Sequence, residues 1–332
     1  MTAPVHEGDA AAGARSAPPD RTDTPAPAPT GSTAGVMSTP MNGGGAGAQP
    51  TPQGGHAAST AGTAPGRGVA PASPALPPVI DPSKPGPFGA DVVATAPGLS
   101  THMLFVPAKL GENGVKHPII VWTNGAGGST NFYEKLQQHF ASHGFFVVAD
   151  KMSGSHHDAE IVEQKAGIEW ATQEAARAAS PYAGKLDASR IAVAGHSLGS
   201  VSSFASAADR RIKASIHWSA GLTGNPVGAP EEWLQGLHAP AAFFCGQAEP
   251  RALPRCSGDF DNAPANVPVF YGTLEGATHT STYDEPNAGE WGRAGVAWFR
   301  FALAGDESFR SWFQAPTCTL CSGPWLGKSR GI

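Results

Sequence analysis

The sequence predicts an α/β protein with a mostly parallel, doubly wound sheet flanked by helices. From about residue 81 onward, short apolar segments alternate with segments of helical periodicity, which is typical of successive βα units. Several of the apolar segments are nearly continuous, as expected for strands that are covered on both faces. Glycine-rich turns follow two of them, where the chain must bend sharply between strand and helix.

The individual elements follow from apolar runs and helical spacing along the chain. Strands are predicted at residues 100–107, 117–123, 145–150, 191–194, 212–218, 240–245 and 267–272. Helices are predicted at residues 131–143, 158–179 and 291–301, with a further helix directly after the strand at 191–194. In the first helix, Phe132, Leu136 and Phe140 share one face. Pro268 indicates that the last strand starts near it or lies at an edge of the sheet.

Residues 1–80 differ in composition from the rest of the chain. They contain fourteen of the 31 prolines, and the first Phe, Trp or Tyr of the sequence is Phe88. Such a segment buries too little apolar surface to offset its ordering entropy, so we predict a disordered tail or linker. Residues 81–332 are then long enough for one α/β domain with a single core.

Charge and hydropathy exclude several classes of partner. The formal charge is −5 and there is no basic block, so a nucleic-acid partner is not expected. No apolar stretch approaches the ~18 residues of a membrane span. The N-terminus shows no basic start followed by an apolar core, so no secretory signal is visible in the sequence.

Four cysteines, Cys245, Cys256, Cys318 and Cys321, allow three pairings. We predict two local disulfides, Cys245–Cys256 and Cys318–Cys321, and the alternative is four unpaired thiols. The C-x-x-C spacing of the second pair favours zinc only beside another such pair or a histidine pair, and the sequence has neither there.

Other metal and cofactor patterns are equally incomplete. His139 and His143 have helical i, i+4 spacing but lack the glutamate of H-E-x-x-H. We interpret them as a helix-surface histidine and a histidine that interacts with the helix dipole. Residues 156–158, His-His-Asp, fit a solvated loop better than a metal or anion site. We therefore expect no metal and no cofactor.

Residues 195–199, Gly-His-Ser-Leu-Gly, match the G-x-S-x-G nucleophile elbow. An apolar strand precedes the motif, and a run of small residues that is compatible with a helix follows it. The turn lifts the Ser197 hydroxyl above the sheet at a helix N-terminus, where the dipole favours developing negative charge. We predict that Ser197 is a nucleophile.

A serine nucleophile needs a histidine base, and the histidine needs a carboxylate. In α/β-hydrolases the chain order is serine, acid, histidine, and each follows a later strand. His279, in the loop after the last predicted strand, is the predicted base. Glu249, which follows the strand before it, is the predicted acid, and Asp259 and Asp261 remain open alternatives.

The tetrahedral intermediate needs two backbone N–H donors. One is predicted at Leu198, directly after the nucleophile, and the other at Ala126 in the glycine-rich segment 124–130, with Gly125 as the fallback. That segment lacks the spacing of a dinucleotide fingerprint and the lysine of a P-loop. Trp218, at the end of its strand, is predicted to form a cleft wall for an apolar acyl group, with a core position as the alternative.

With these residues placed, the sequence resembles the bacterial cutinase and poly(ethylene terephthalate) hydrolase group of the α/β-hydrolases. The resemblance implies a serine esterase with Ser197 as nucleophile, His279 as base, and an open surface cleft. It also implies a secreted protein. The landmarks are residues 86–88, 141–148, 195–199 and 295–298, together with Trp218 and His279.

The sequence departs from that group at several positions. The group usually has an aromatic residue where this chain has Ala126, and an aspartate where it has Glu249; Ser200 replaces a glycine, and residues 221–236 form a longer insertion. We expect a monomeric, metal-independent hydrolase of carboxylic esters, with polyesters as the extension that the resemblance implies. A dienelactone-hydrolase-like, lipase, peptidase or other acyl-hydrolase activity is the alternative among enzymes. A non-catalytic binding protein of the same fold is the alternative outside them.

Overall fold

The computed structural model describes residues 74–332. The predicted tail at residues 1–80 therefore lies almost wholly outside the described residues. Within its last part, Leu76 is buried, and Arg300 donates a hydrogen bond to the carbonyl oxygen of Pro77 at 2.8 Å. The chain thus begins to pack against the domain shortly before residue 81.

Within residues 74–332, nine strands form one sheet in the order β1-β2-β4-β3-β5-β6-β7-β8-β9. Strands β3 to β8 run parallel, and the pairs β1–β2, β2–β4 and β8–β9 are antiparallel. The predicted mostly parallel sheet is confirmed. The strands are β1 Ala90–Val93, β2 His102–Pro107, β3 His117–Thr123, β4 Phe146–Asp150, β5 Leu186–His196, β6 Ile212–Trp218, β7 Ala241–Gly246, β8 Val269–Leu274 and β9 Trp325–Arg330.

Helices cover both faces of the sheet, which therefore separates two apolar cores. Side chains alternate along β3: Ile120 and Trp122 join one core with residues of α1 and α5, whereas Ile119 and Val121 join the other with residues of α2, α3 and α4. This two-sided burial explains the nearly continuous apolar strands. The helices are α1 Glu134–Ser142, α2 His157–Ala176, α3 Leu198–Ala207, α4 Leu253–Asn262 and α5 Gly289–Trp298.

Three elements have no clear signal in the sequence: β1, α4 and β9. Helix α4 contains Pro254, Gly258 and two aspartates, all poor helix formers. It is held by tertiary contacts instead, because Cys256 is bonded to Cys245 and Asp259 accepts hydrogen bonds from another loop. Strand β8 begins after Pro268 as predicted, but β9 pairs beyond it, so β8 is not at the edge.

The predicted apolar face of the first helix is partly wrong. Leu136 and Phe140 are fully buried, but Phe132 lies in a 3₁₀ turn, Thr130–Tyr133, and is 42% exposed.

Both predicted roles of the neighbouring histidines are also wrong. His139 and His143 are buried and contact the carbonyl oxygens of Pro82 and Lys84 at 2.8 and 2.9 Å. Because burial lowers the pKa of His143 to about 3, this ring is neutral rather than a cation at the helix end.

Both predicted disulfides are present. Cys245–Cys256 joins the end of β7 to α4, and Cys318–Cys321 closes a short turn before β9.

Among residues 74–332, no helix combines the length and apolar character that a membrane crossing requires.

Burial makes several histidines harder to protonate in the folded state than in the unfolded chain. It lowers the pKa of His102 to about 4 and that of His196 and His217 to about 3. Since a free imidazole ionises near pH 6.5, the unfolded state binds more protons below that pH. The stability that these neutral rings contribute is present above pH 6.5 and is lost as the pH falls towards 4. Burial raises the pKa of Asp259 to about 6, so this carboxyl binds its proton more readily in the folded state. Its contribution to stability therefore increases as the pH falls, opposite to that of the histidines.

We therefore expect the free energy of unfolding to fall by several kcal/mol between pH 7 and pH 4.5, at up to roughly 1.4 kcal/mol per pH unit for each such histidine. Urea titrations at a series of pH values measure this decline. The variant His217→Gln should show a shallower decline, because one buried titrating ring is gone. The control is His156→Gln, at an exposed histidine. The same decline in His217→Gln as in the parent would contradict the explanation.

Candidate active site

Ser197 lies on the sharp turn between β5 and α3. Its backbone has φ 54° and ψ −117°, a conformation that costs about 1–3 kcal/mol for a residue other than glycine. Two glycines make the turn possible. A Cβ at Gly195 would overlap the backbone of Gly199, and one at Gly199 would overlap the carbonyl oxygen of Thr123. The two glycines are thus required sterically, and Ser197, between them, lines a cleft.

His279 connects the serine to a carboxylate. Its Nε2 lies 2.9 Å from Ser197 Oγ, and its Nδ1 lies 2.8 Å from Glu249 Oε2. The loop after β8 carries His279 and the turn after β7 carries Glu249, so both are delivered by carboxyl ends of neighbouring parallel strands. The three side chains that the sequence singled out are therefore in hydrogen-bond contact.

Glu249 is only 3% exposed, and its second oxygen is also occupied. Oε1 accepts hydrogen bonds from Ser219 Oγ at 2.8 Å and from the Gly246 N–H at 2.6 Å. A buried carboxylate is tolerated when its oxygens are satisfied in this way. Ser219 was not singled out in the sequence, since one serine after a strand carries no pattern.

The two alternative acids lie elsewhere. Asp259 accepts hydrogen bonds from the backbone N–H groups of Leu222 and Thr223, and thus fixes the start of the insertion at residues 221–236. Asp261 forms an exposed ion pair with Lys328 at 2.9 Å. Neither contacts His279.

Two residues that line the cleft with Ser197 have backbone N–H groups without an acceptor within residues 74–332. Leu198 is the first residue of α3, where an N–H has no partner within the helix. Ala126 follows β3 and lines the same cleft. The fallback, Gly125, is less suitable, because its N–H donates to the Tyr133 hydroxyl at 3.2 Å.

The prediction that Trp218 forms a cleft wall is wrong. Its side chain is fully buried and packs against Trp122, Phe140 and Phe244, on the face of the sheet that α1 and α5 cover. Strand alternation decides this, since the last residue of β6 points away from α3. Its backbone still supports the site: the carbonyl oxygen of Trp218 accepts the Ser197 N–H at 2.9 Å.

A buried hydrogen-bond chain lies behind the elbow. Burial raises the pKa of Tyr133 to about 12, so its hydroxyl stays protonated and donates to Nδ1 of His196 at 2.7 Å. Since His196 is neutral, its Nε2 carries the proton and donates to the carbonyl oxygen of His279 at 2.7 Å. The Gly125 N–H also donates to the Tyr133 hydroxyl, so the series of hydrogen bonds connects the loop after β3 to the loop that carries His279.

The cleft has a volume of about 620 Å³ and extends from Ser197 between the insertion and the start of α4. The insertion at residues 221–236 contributes to this cleft, because Asn225, Pro226 and Val227 line it. The apolar part of the lining also includes Leu198, Val201, Ala220, Pro250 and Ala252.

His156, His157 and Asp158 lie together at the start of α2, with their ligand atoms within 4.8 Å of one another. The positive end of the helix dipole disfavours a cation at this position. His156 and Asp158 are exposed, as the solvated-loop interpretation predicts, whereas His157 is buried.

These features define the α/β-hydrolase fold: a mostly parallel sheet in which strand β5 ends in a serine elbow, with Glu249 and His279 after later strands. Residues 92–238 match the model of the chlorophyllase family, a carboxylesterase-type family of the α/β-hydrolase superfamily. The match covers less than half of the chain; it includes the elbow and ends before Glu249 and His279. No curated protein matches the sequence. The fold class predicted from the sequence is confirmed.

We expect Tyr133→Phe to lower the free energy of unfolding by about 1–3 kcal/mol, because it leaves the Gly125 N–H and His196 Nδ1 buried without partners. Urea unfolding measures the loss. The matched control is Tyr283→Phe: Tyr283 is fully buried and contacts the Tyr133 ring, but its hydroxyl has no partner within residues 74–332. Equal losses in the two variants would contradict a role for the hydrogen-bond chain.

Proposed function

We propose that the protein hydrolyses carboxylic esters through a covalent acyl-enzyme, with Ser197, His279 and Glu249 as its catalytic triad. The observation that carries this proposal is the hydrogen-bond chain from Ser197 Oγ through His279 to Glu249, at the mouth of a mostly apolar cleft. The match to a carboxylesterase-type family supports the same reaction class.

In the first half of the reaction, Ser197 Oγ attacks the ester carbonyl carbon while His279 Nε2 takes the hydroxyl proton. The N–H groups of Ala126 and Leu198 donate to the oxyanion. Because this negative charge develops only as the transition state forms, these hydrogen bonds stabilise the transition state more than the bound ester. Glu249 holds the ring orientation and stabilises the imidazolium. His279 then gives its proton to the departing alkoxide, which leaves as the alcohol.

In the second half, a water molecule attacks the acyl-enzyme. His279 takes a proton from this water, and the same two N–H groups stabilise the second oxyanion. The bond between the acyl carbon and Ser197 Oγ then breaks, and His279 returns its proton to the serine. The products are a carboxylic acid and the original enzyme, so the cycle needs neither a metal nor a redox cofactor.

The lining of the cleft favours soluble esters over polyesters as the proposed substrates. The cutinase-like resemblance implies polyester cleavage, but Ala126 supplies no aromatic clamp, and Trp218 is buried beneath the sheet edge instead of lining the cleft. We therefore propose soluble esters as the first substrate class and polyesters as the second. The two disulfides are compatible with the secretion that the resemblance implies.

The variant Ser197→Ala should lose on the order of 10⁴-fold or more in kcat, because the members of a triad act as a unit. The measurement is hydrolysis of 4-nitrophenyl butyrate, on which the parent should also show a burst of one 4-nitrophenolate per active site. Full esterase activity in Ser197→Ala would end the proposal.

The choice of acid has its own test. Glu249→Gln should lower kcat by about 10²–10⁴-fold, because a neutral amide no longer stabilises the imidazolium. Asp261→Asn is the control, since it removes an exposed carboxylate that pairs with Lys328; it should stay within about twofold of the parent. Thermal unfolding of both variants separates a catalytic loss from a folding defect. A larger loss in Asp261→Asn would reassign the acid.

A further inference from the structure

Two arginines line the cleft beyond the triad. Arg251 comes two residues after Glu249 and is exposed, and Arg255 lies one helical turn further along, near the start of α4. Arg255 Nε donates to the carbonyl oxygen of Gly224 in the insertion at 3.2 Å. This bond fixes the side chain across the cleft and leaves the two terminal nitrogens of its guanidinium for other acceptors.

Neither arginine is neutralised by a carboxylate. Within residues 74–332, Arg251 and Arg255 form no ion pair with Asp or Glu. Among residues 74–332, Arg210 and Arg330 also lack such a pair, whereas the other six arginines are paired with carboxylates: Arg177, Arg190, Arg211, Arg293, Arg300 and Arg310.

Among residues 74–332, the cleft lining contains one acidic side chain, Glu249. Its oxygens are taken up by Ser219, Gly246 and His279, and it is 3% exposed, so it offers no acceptor to the arginines. Asp259 lies behind the insertion and is bound to the backbone of Leu222 and Thr223. The open part of the cleft thus combines an apolar surface with two unpaired positive charges.

We propose that this cleft selects esters that carry a carboxylate, held by Arg251 and Arg255 while the ester carbonyl lies on Ser197. The inference rests on the proposed esterase function and names its substrate class. A planar guanidinium binds a carboxylate through two parallel hydrogen bonds, which gives direction as well as charge. The apolar residues between the arginines and the serine contact the carbon chain that separates the two groups.

The test compares pairs of esters that differ only in this charge. One pair carries it in the acyl part: mono-4-nitrophenyl adipate and its methyl ester. The other carries it in the alcohol part: the butyrate esters of 4-hydroxybenzoate and of methyl 4-hydroxybenzoate. We expect the charged member of at least one pair to have a kcat/KM about tenfold higher, mainly through a lower KM. This preference should shrink as salt is raised, because exposed charges are screened.

The double variant Arg251→Gln/Arg255→Gln should abolish the preference. The ratio of the two kcat/KM values within each variant cancels any general change in activity or folding. The control is Arg210→Gln/Arg310→Gln, which removes the same charge from residues that do not line the cleft; its ratio should equal that of the parent.

Each outcome decides the proposal. No preference in either pair, or a preference that survives in Arg251→Gln/Arg255→Gln, overturns it while ester hydrolysis itself stands. Loss of the preference in both double variants also overturns it, since net charge rather than these two arginines would then be responsible. If no ester is hydrolysed at all, the proposed function fails first, and the charge preference fails with it.

Discussion

The close approach of β5, α3 and the loop after β3 is the constraint on which the site depends. At Gly195 and Gly199 the backbones are too close for any Cβ, and the chain turns through a positive φ at Ser197. This turn is strained, and the hydrogen bond from the Ser197 N–H to β6 helps to hold it. The turn places the hydroxyl within hydrogen-bond distance of His279 Nε2, and Leu198 lines the same cleft.

The partners of Ser197 are held by buried polar contacts. Glu249 is fixed by Ser219 and the backbone of Gly246, and the His279 loop is fixed through its carbonyl oxygen by His196. These groups lie in a low-dielectric region, where a satisfied hydrogen bond is strong and an unsatisfied one is costly. Burial keeps His196 neutral, so its ring carries one N–H. Because Nδ1 accepts from the Tyr133 hydroxyl, that N–H is on Nε2 and donates to the carbonyl oxygen of His279.

The shape of the cleft comes from a different part of the chain. The insertion after β6 and the start of α4 both line it; Asp259 ties these two segments together, and the Cys245–Cys256 disulfide anchors α4 to the end of β7. Helix α4 has little intrinsic propensity, so these ties hold it in place. They also determine where Arg251 and Arg255 lie, and thus what kind of substrate group would meet them.

The sequence alone predicts the parallel sheet and the elbow at Ser197, because these follow from local patterns: apolar runs and glycine spacing. Short separations favoured the two local cysteine pairs, but the sequence left unpaired thiols open as the alternative. It also singled out His279 and Glu249 through chain order, although it left Asp259 and Asp261 open. Only the tertiary structure decided which carboxylate contacts the ring, that Trp218 faces the core, and that Tyr133 and Ser219 support the site. Each of these depends on the direction of a side chain or on segments far apart in the chain, and neither property is written in a local pattern.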